Sequence, residues 1–256
     1  MKIEIPNNLK FLQEFLNVDS KYLAKLGGYI DGSYIVDYRS VLSSKYLISG
    51  GVGSNVRFES DFRLINKEVK IVFVDPTTSI IRMFIRSIYH FFKRSQNGFY
   101  SLGELFNYFD VKKHATHKYK YLGKQYTINT VCQELSITDR FFLKLDIEGF
   151  EYELLDSILD LKDKIEGICI EFHDLNKKDN VDMLETFVRK LDFNIIGVCI
   201  NELAISDSGV PHIIEISFSP KKEINWPTDS DESYYLQNSN TFKGEAVVFN
   251  YRSFSK

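Results

Sequence analysis

Hydrophobic positions along the chain fall into two rhythms. Short apolar runs at 45–50, 70–75, 141–146, 167–172, 195–200 and 212–218 have the length and β-branched content of buried strands. Elsewhere apolar residues recur at helical spacing. Leu154, Leu155, Ile158 and Leu159 mark a helix over 151–161, and further helices are predicted over 127–135 and 179–191. Leu9, Leu12, Phe15 and Leu16 share one face of a helix predicted over 8–26, and Thr77, Thr78 and Ser79 offer caps for one running to about residue 94. Strands alternating with helices predict an α/β fold in three layers, a mostly parallel sheet covered on both faces. The last two runs follow each other closely enough to allow an antiparallel final strand. Residues 96–126 are the least regular and read as an exposed strand plus loop. The tail from Pro220, with TDSDES at 228–233, is polar until the apolar AVVFN at 246–250. No composition break marks a linker, so the chain reads as one domain over 1–256, with an N-terminal segment 1–40, a core 45–218 and a C-terminal extension 219–256.

The chemistry gathers where the strands end. Residues 45–59, KYLISGGVGSNVRFE, close a strand on Gly50, Gly51 and Gly53, where the backbone can turn tightly and approach a ligand without a Cβ in the way. Residues 69–79, VKIVFVDPTTS, close the next strand on Asp75, followed by Pro76. An acid at that distance is suited to accept both hydroxyls of a ribose. Val56 stands where a dinucleotide fold carries its third glycine, which weakens a pyrophosphate-binding reading. An adenosine ligand without phosphates, such as S-adenosylmethionine, suits the pair better. An NAD-dependent Rossmann oxidoreductase and a non-catalytic adenosyl-ligand module are the alternatives from other classes.

Residues 143–155, LKLDIEGFEYELL, end a strand on Asp146, turn through Glu148 and Gly149, and open a helix with Glu151 and Glu153. A turn this acidic is not a phosphate cradle, because a helix N-terminus used that way keeps its positive end free. It suits a cationic or hydroxyl-bearing ligand; ordinary helix-dipole acids are the plainer reading. The run GICIEFH brings Glu171 and His173 to a further strand end. Open α/β sheets bind ligands beyond the carboxyl ends of their strands, where strand order reverses. A histidine there is commonly structural, yet His173 shares its rim with the other acids. With an ordinary pKa of about 6.5 it is mostly neutral at pH 7 and can act as a base. Asp146 is suited to orient the imidazole or hold an acceptor. A divalent metal bridging Asp146, Glu171 and His173 is chemically reasonable, although no dense ligand spacing demands it.

These segments together resemble the FkbM family of S-adenosylmethionine-dependent methyltransferases. The resemblance runs through LGGYIDGSYIV at 26–36, SGGVGSNVRFE, VDPTTSI, LKLDIEGFEYELL, IEFH at 170–173 and GVPHIIEISF at 209–218, in the family's order. It implies a Rossmann-like class I methyltransferase sheet with an antiparallel last strand. It also implies S-adenosyl-L-methionine held by Gly51, Gly53, Asp75, Pro76, Asp146 and Glu148, with His173, Asp146 and Glu171 catalytic. The acceptor it implies is a sugar hydroxyl, on a nucleotide sugar or a glycan precursor of surface (capsular) polysaccharide; a secondary-metabolite hydroxyl is the alternative. Near Asn201 and Glu202 the chain departs from the paired asparagines of related sequences, which puts substrate contacts there in doubt.

Composition narrows the partners. A net charge of −3 and a pI near 6.0 lend no support to a nucleic-acid or anionic-membrane surface. The basic face of Arg82, Arg86, His90 and Arg94 reads as solvated, with an anionic sugar nucleotide as the functional version. KKHATHKYKYLGKQY at 112–126 reads as exposed strand and loop, with a substrate diphosphate as its functional version. His114, His117 and His212 read as structural or surface residues. Cys132, Cys169 and Cys199 are widely spaced and sit in apolar runs, as buried reduced thiols do. No apolar run reaches the length of a transmembrane span, so a soluble, cytoplasmic protein is expected, with a homo-oligomer open.

Overall fold

The computed structural model describes residues 7–17, 22–27, 33–53, 55–77, 108–200, 211–221 and 248–250. The expected 77–94 helix beyond Thr77, the basic face from Arg82 to Arg94, Asn201 and Glu202, and TDSDES lie outside the described residues.

A small antiparallel hairpin comes first, β1 (Leu23–Leu26) paired with β2 (Tyr34–Asp37). The main sheet follows with β3 (Tyr46–Gly50), β4 (Lys70–Val74), β5 (Ala115–Lys118), β6 (Phe141–Leu145), β7 (Ile165–Phe172), β8 (Phe193–Ile200), β9 (Ile214–Pro220) and β10 (Val248–Asn250). Its order is β10-β8-β9-β7-β6-β3-β4-β5. Every pairing is parallel except those of β9, which runs antiparallel between β7 and β8. This is the mostly parallel sheet, with an antiparallel strand, that the sequence predicts. The antiparallel strand is the last of the expected core; β10, from the AVVFN segment, then adds parallel to β8.

Strand order fixes where a ligand can sit. From β3 the chain moves outward to β4 and β5, then returns to β6 on β3's other side, so order reverses between β3 and β6. Gly50 pairs with both Val74 and Leu145, and Leu145 pairs with Ile170. Gly51, Asp75 and Asp146 therefore leave the sheet at the level of Glu171 in β7.

Helices α1 (Tyr38–Ser43), α2 (Arg57–Ile65), α3 (Ile128–Glu134), α4 (Leu155–Asp160) and α5 (Lys178–Leu191) connect the strands. Asp37 caps α1 through Arg39 N, and Thr127 caps α3 through Thr130 N. The sheet separates two apolar cores. Ile48, Leu143, Leu145 and Ile170 pack toward Phe187 and Val188 of α5 on one face. Phe73, Phe142 and Cys169 pack toward Phe58 and Phe62 of α2 and Tyr34 of the hairpin on the other. Burying a side chain such as Phe62 stabilises the fold by about 1.5–3 kcal/mol.

Two expectations are corrected. The 8–26 helix is a 3-10 helix over Asn7–Phe15, with Leu9 and Leu12 buried, and Leu23–Leu26 is a strand. Spacing alone did not separate these states, and pairing with Tyr34–Asp37 decides for the strand. The helix expected over 151–161 opens instead as a 3-10 turn, Glu151–Leu154, before α4. Over 112–126, the edge strand β5 and a loop stand where an exposed strand and loop were expected. Among the described residues no helix is long and apolar enough to cross a membrane. The three cysteines are free, Cys132 and Cys169 buried and Cys199 partly so.

Candidate active site

Two turns meet at the switch point. The first leaves β3 through the glycines. Gly51 has φ +70°, and a Cβ there would lie 1.5 Å from the carbonyl oxygen of Asp146. Only glycine allows the turn to pack so closely, and Asp146 N completes the join by donating to Gly50 O at 3.1 Å. Gly53, at φ +57°, has open space where a Cβ would project. Asp75, at the end of β4, is buried beside it. Its Oδ2 accepts from Gly53 N at 2.6 Å, and its Oδ1 accepts from Thr77 N at 2.6 Å and Thr77 Oγ1 at 2.7 Å. Asp75 thus shapes the turn as well as standing where a ribose is expected. Pro76 follows, half-buried. Val56 is fully buried and enters α2 without a side-chain cap. His117 is a structural link, with Nε2 2.8 Å from Asp75 O and its ring stacked on Tyr119 at 3.9 Å.

The second turn leaves β6 through Asp146, Ile147, Glu148 and Gly149. Glu148 has φ +55° and a side chain 85% exposed, whereas Asp146 is 25% exposed. Glu151 folds back, fully buried. Its Oε2 accepts from Gly149 N at 2.8 Å, and its Oε1 accepts from His173 N at 2.6 Å and lies 3.3 Å from His173 Nδ1. Tyr152 donates its hydroxyl to His173 O at 2.6 Å, so the residue is held at backbone and ring. His173 Nε2 faces Glu148 Oε2 at 3.5 Å. Burial disfavours the imidazolium, but the bond and charge of Glu151, with the charges of Glu148 and Asp146, outweigh it and raise the His173 pKa above the usual 6.5.

Asp146, Glu171 and His173, expected together from two strand ends, do converge: one donor atom from each lies within 4.8 Å of the others. A divalent cation could bridge such a set. A fixed positive charge already stands beside it. Lys144 is 4% exposed, with Nζ 3.9 Å from Asp146 Oδ2, 3.4 Å from Gly51 O and 5.9 Å from the centre of the Tyr34 ring. Burial disfavours its charge, but the carboxylates of Glu59, Asp146, Glu171 and Glu215 outweigh that and raise its pKa, so it stays an ammonium. Glu59 is itself fully buried on α2 and accepts from Ser49 Oγ at 2.5 Å. Sequence reasoning missed Lys144, Glu59 and the inward turn of Glu151. A lysine between two leucines in an apolar strand was the available signal.

The residues present fit an adenosyl sulfonium. The glycine turn admits close backbone approach, Asp75 offers a carboxylate at ribose level, and Asp146 and Glu148 put negative charge where a cation would lie.

The family model described as "Methyltransferase FkbM domain" matches residues 53–195. Among solved structures, precorrin-6y C5,15-methyltransferase from Geobacter metallireducens GS-15 superimposes with a TM-score of 0.40 at 13% identity, covering 72% of this chain and 86% of that one. The human methyltransferase 10 domain containing protein gives a TM-score of 0.40 at 11% identity, covering 86% and 88%. No curated protein sequence matches the chain.

Proposed function

Because the chain belongs to the FkbM methyltransferase family, we propose that it transfers a methyl group to a sugar hydroxyl. The acceptor in this reading is a nucleotide sugar or a glycan precursor of surface polysaccharide in the cytoplasm. A secondary-metabolite hydroxyl is the nearest alternative. The observation that carries the O-methylation reading is the convergence of Asp146, Glu171 and His173 beside the glycine turn. Such a hydroxyl must lose a proton as its oxygen attacks, and this cluster sits where that proton would be released.

Gly51 and Gly53, Asp75 and Pro76, and Asp146 and Glu148 would hold S-adenosyl-L-methionine, which when bound would supply the electrophilic methyl group. His173 takes the acceptor proton. Asp146 and Glu171 accept hydrogen bonds from neighbouring hydroxyls of the acceptor, and Lys144 keeps these two acids from repelling each other. Holding acceptor and donor in line contributes more to the rate than covalent help, since an intramolecular arrangement can supply about 7–11 kcal/mol of a bimolecular barrier.

The test is to incubate the protein with S-adenosylmethionine and a panel of nucleotide sugars, and read each by mass spectrometry. A sugar heavier by one methylene unit, lost in His173→Ala, supports the reading. Methyl transfer confined to an amine or carbon acceptor would overturn it.

A further inference from the structure

The methyl-transfer reading leaves open which ring nitrogen of His173 meets the acceptor. We propose that Glu151 is a positioning residue that fixes the proton of the neutral imidazole on Nδ1, leaving Nε2 as the free nitrogen at the acceptor. The inference rests on that reading for its consequence, but the geometry behind it is independent of any substrate.

A carboxylate only accepts hydrogen bonds, so the Nδ1 that faces Glu151 Oε1 at 3.3 Å must carry the hydrogen. Nε2 faces a carboxylate as well, Glu148 Oε2 at 3.5 Å, and the two acids compete for the single proton of the neutral ring. Distance does not separate them; surroundings do. Glu151 is fully buried, while the Glu148 side chain is 85% exposed. An exposed carboxylate is solvated and acts partly through water, whereas buried Glu151 acts through a lower dielectric, so at a similar separation Glu151 acts the more strongly on the ring. Salt screens Glu148 further.

Glu151 is also the better anchored of the two. It accepts from His173 N at 2.6 Å and from Gly149 N at 2.8 Å, so backbone bonds fix its carboxylate before the ring is considered. Glu148 sits on the turn that Glu151 braces, at a positive φ, with its side chain in solvent. One buried acid therefore sets the shape of the acidic turn and the tautomer of the histidine beside it. The arrangement has the logic of a Ser-His-Asp triad, in which a buried acid holds the tautomer without taking the proton.

The full-length protein labelled with 15N-histidine, with S-adenosylhomocysteine added, gives a direct readout by NMR at a pH where the ring is neutral; His173→Gln assigns the signal. The wild-type ring should be protonated on Nδ1, and Glu151→Gln should shift the population toward Nε2–H. In the same variant, turnover of a nucleotide-sugar acceptor should fall by at least about a hundredfold, while S-adenosylhomocysteine affinity stays within about threefold by calorimetry. A wild-type ring protonated on Nε2 overturns the proposal and needs no variant to fold. An unchanged tautomer in a folded Glu151→Gln overturns it too. A wild-type Nδ1–H ring that depends on Glu151, in a protein that methylates no nucleotide sugar, would leave the positioning intact and remove only the acceptor assignment.

Discussion

The glycine turn after β3 and the acidic turn after β6 touch one another, yet they are built differently. The first is made by backbone shape: Gly51 and Gly53 bend the chain, and Asp75 at the end of the adjacent strand ties it with short bonds to main-chain N–H groups. The second is held by buried charged side chains, Glu151 on His173 and Lys144 between Gly51 and Asp146. A glycine cradle is declared by residue type. A reactive end that must set a proton on one nitrogen depends on which charges the fold buries.

The contrast can be broken at either turn. The largest effect is expected at the acidic end: His173→Ala should lower kcat by about 10²–10⁴ with cofactor affinity nearly unchanged, since the ring acts on the acceptor. Equal losses in both would merge the two turns into one unit. Next comes the cradle. Asp75→Ala should weaken S-adenosylhomocysteine binding at least about tenfold by calorimetry, because charge-assisted hydrogen bonds contribute about 1.5–3 kcal/mol. The melting temperature should fall as well, as Gly53 N and Thr77 N lose their acceptor; unchanged affinity would remove Asp75 from the ligand side.

A third test uses pH. The His173 pKa is raised above 6.5, and the base must be neutral, so kcat should rise with pH through an ionisation above that value, and His173→Asn should lose the limb. The sign for stability is opposite. The folded state binds this proton more tightly, so its contribution is complete below the unfolded value and fades as pH climbs through the folded one. A melting temperature that rose across that window through His173 would contradict the placement between carboxylates. The smallest loss should be Glu148→Gln, within about fivefold in kcat, since the Glu148 side chain is exposed. A chelator should also leave turnover intact; abolition restored by a divalent ion would make His173 a ligand instead of the base. NAD should stabilise the protein against heat less than S-adenosylhomocysteine does.

How far each turn was legible follows from the same difference. Strand ends could be located because apolar runs stop at glycine, aspartate or histidine, and parallel pairing then brings Gly51, Asp75, Asp146 and Glu171 to one level. The glycine turn was readable because only glycine tolerates Gly51's contact with Asp146. Glu151 read as a helix-dipole acid, and Lys144 as a residue within an apolar strand, because burial of a charge depends on partners far along the chain. The hairpin was hidden for a related reason: Leu23 and Leu26 fit a helical face as well as a strand, and only the pairing with β2 decides.

The basic run at 112–126 has a use that needs no ligand. It carries β5, a four-residue strand at the end of the sheet order among the described residues, and Lys118 and Lys120 lie in and just beyond it. A sheet edge offers unpaired peptide groups to any second copy that drifts alongside. A copy docking there would have to strip water from exposed Lys120 and disturb the Lys118–Glu134 ion pair, so the charges at this edge work against edge-to-edge aggregation.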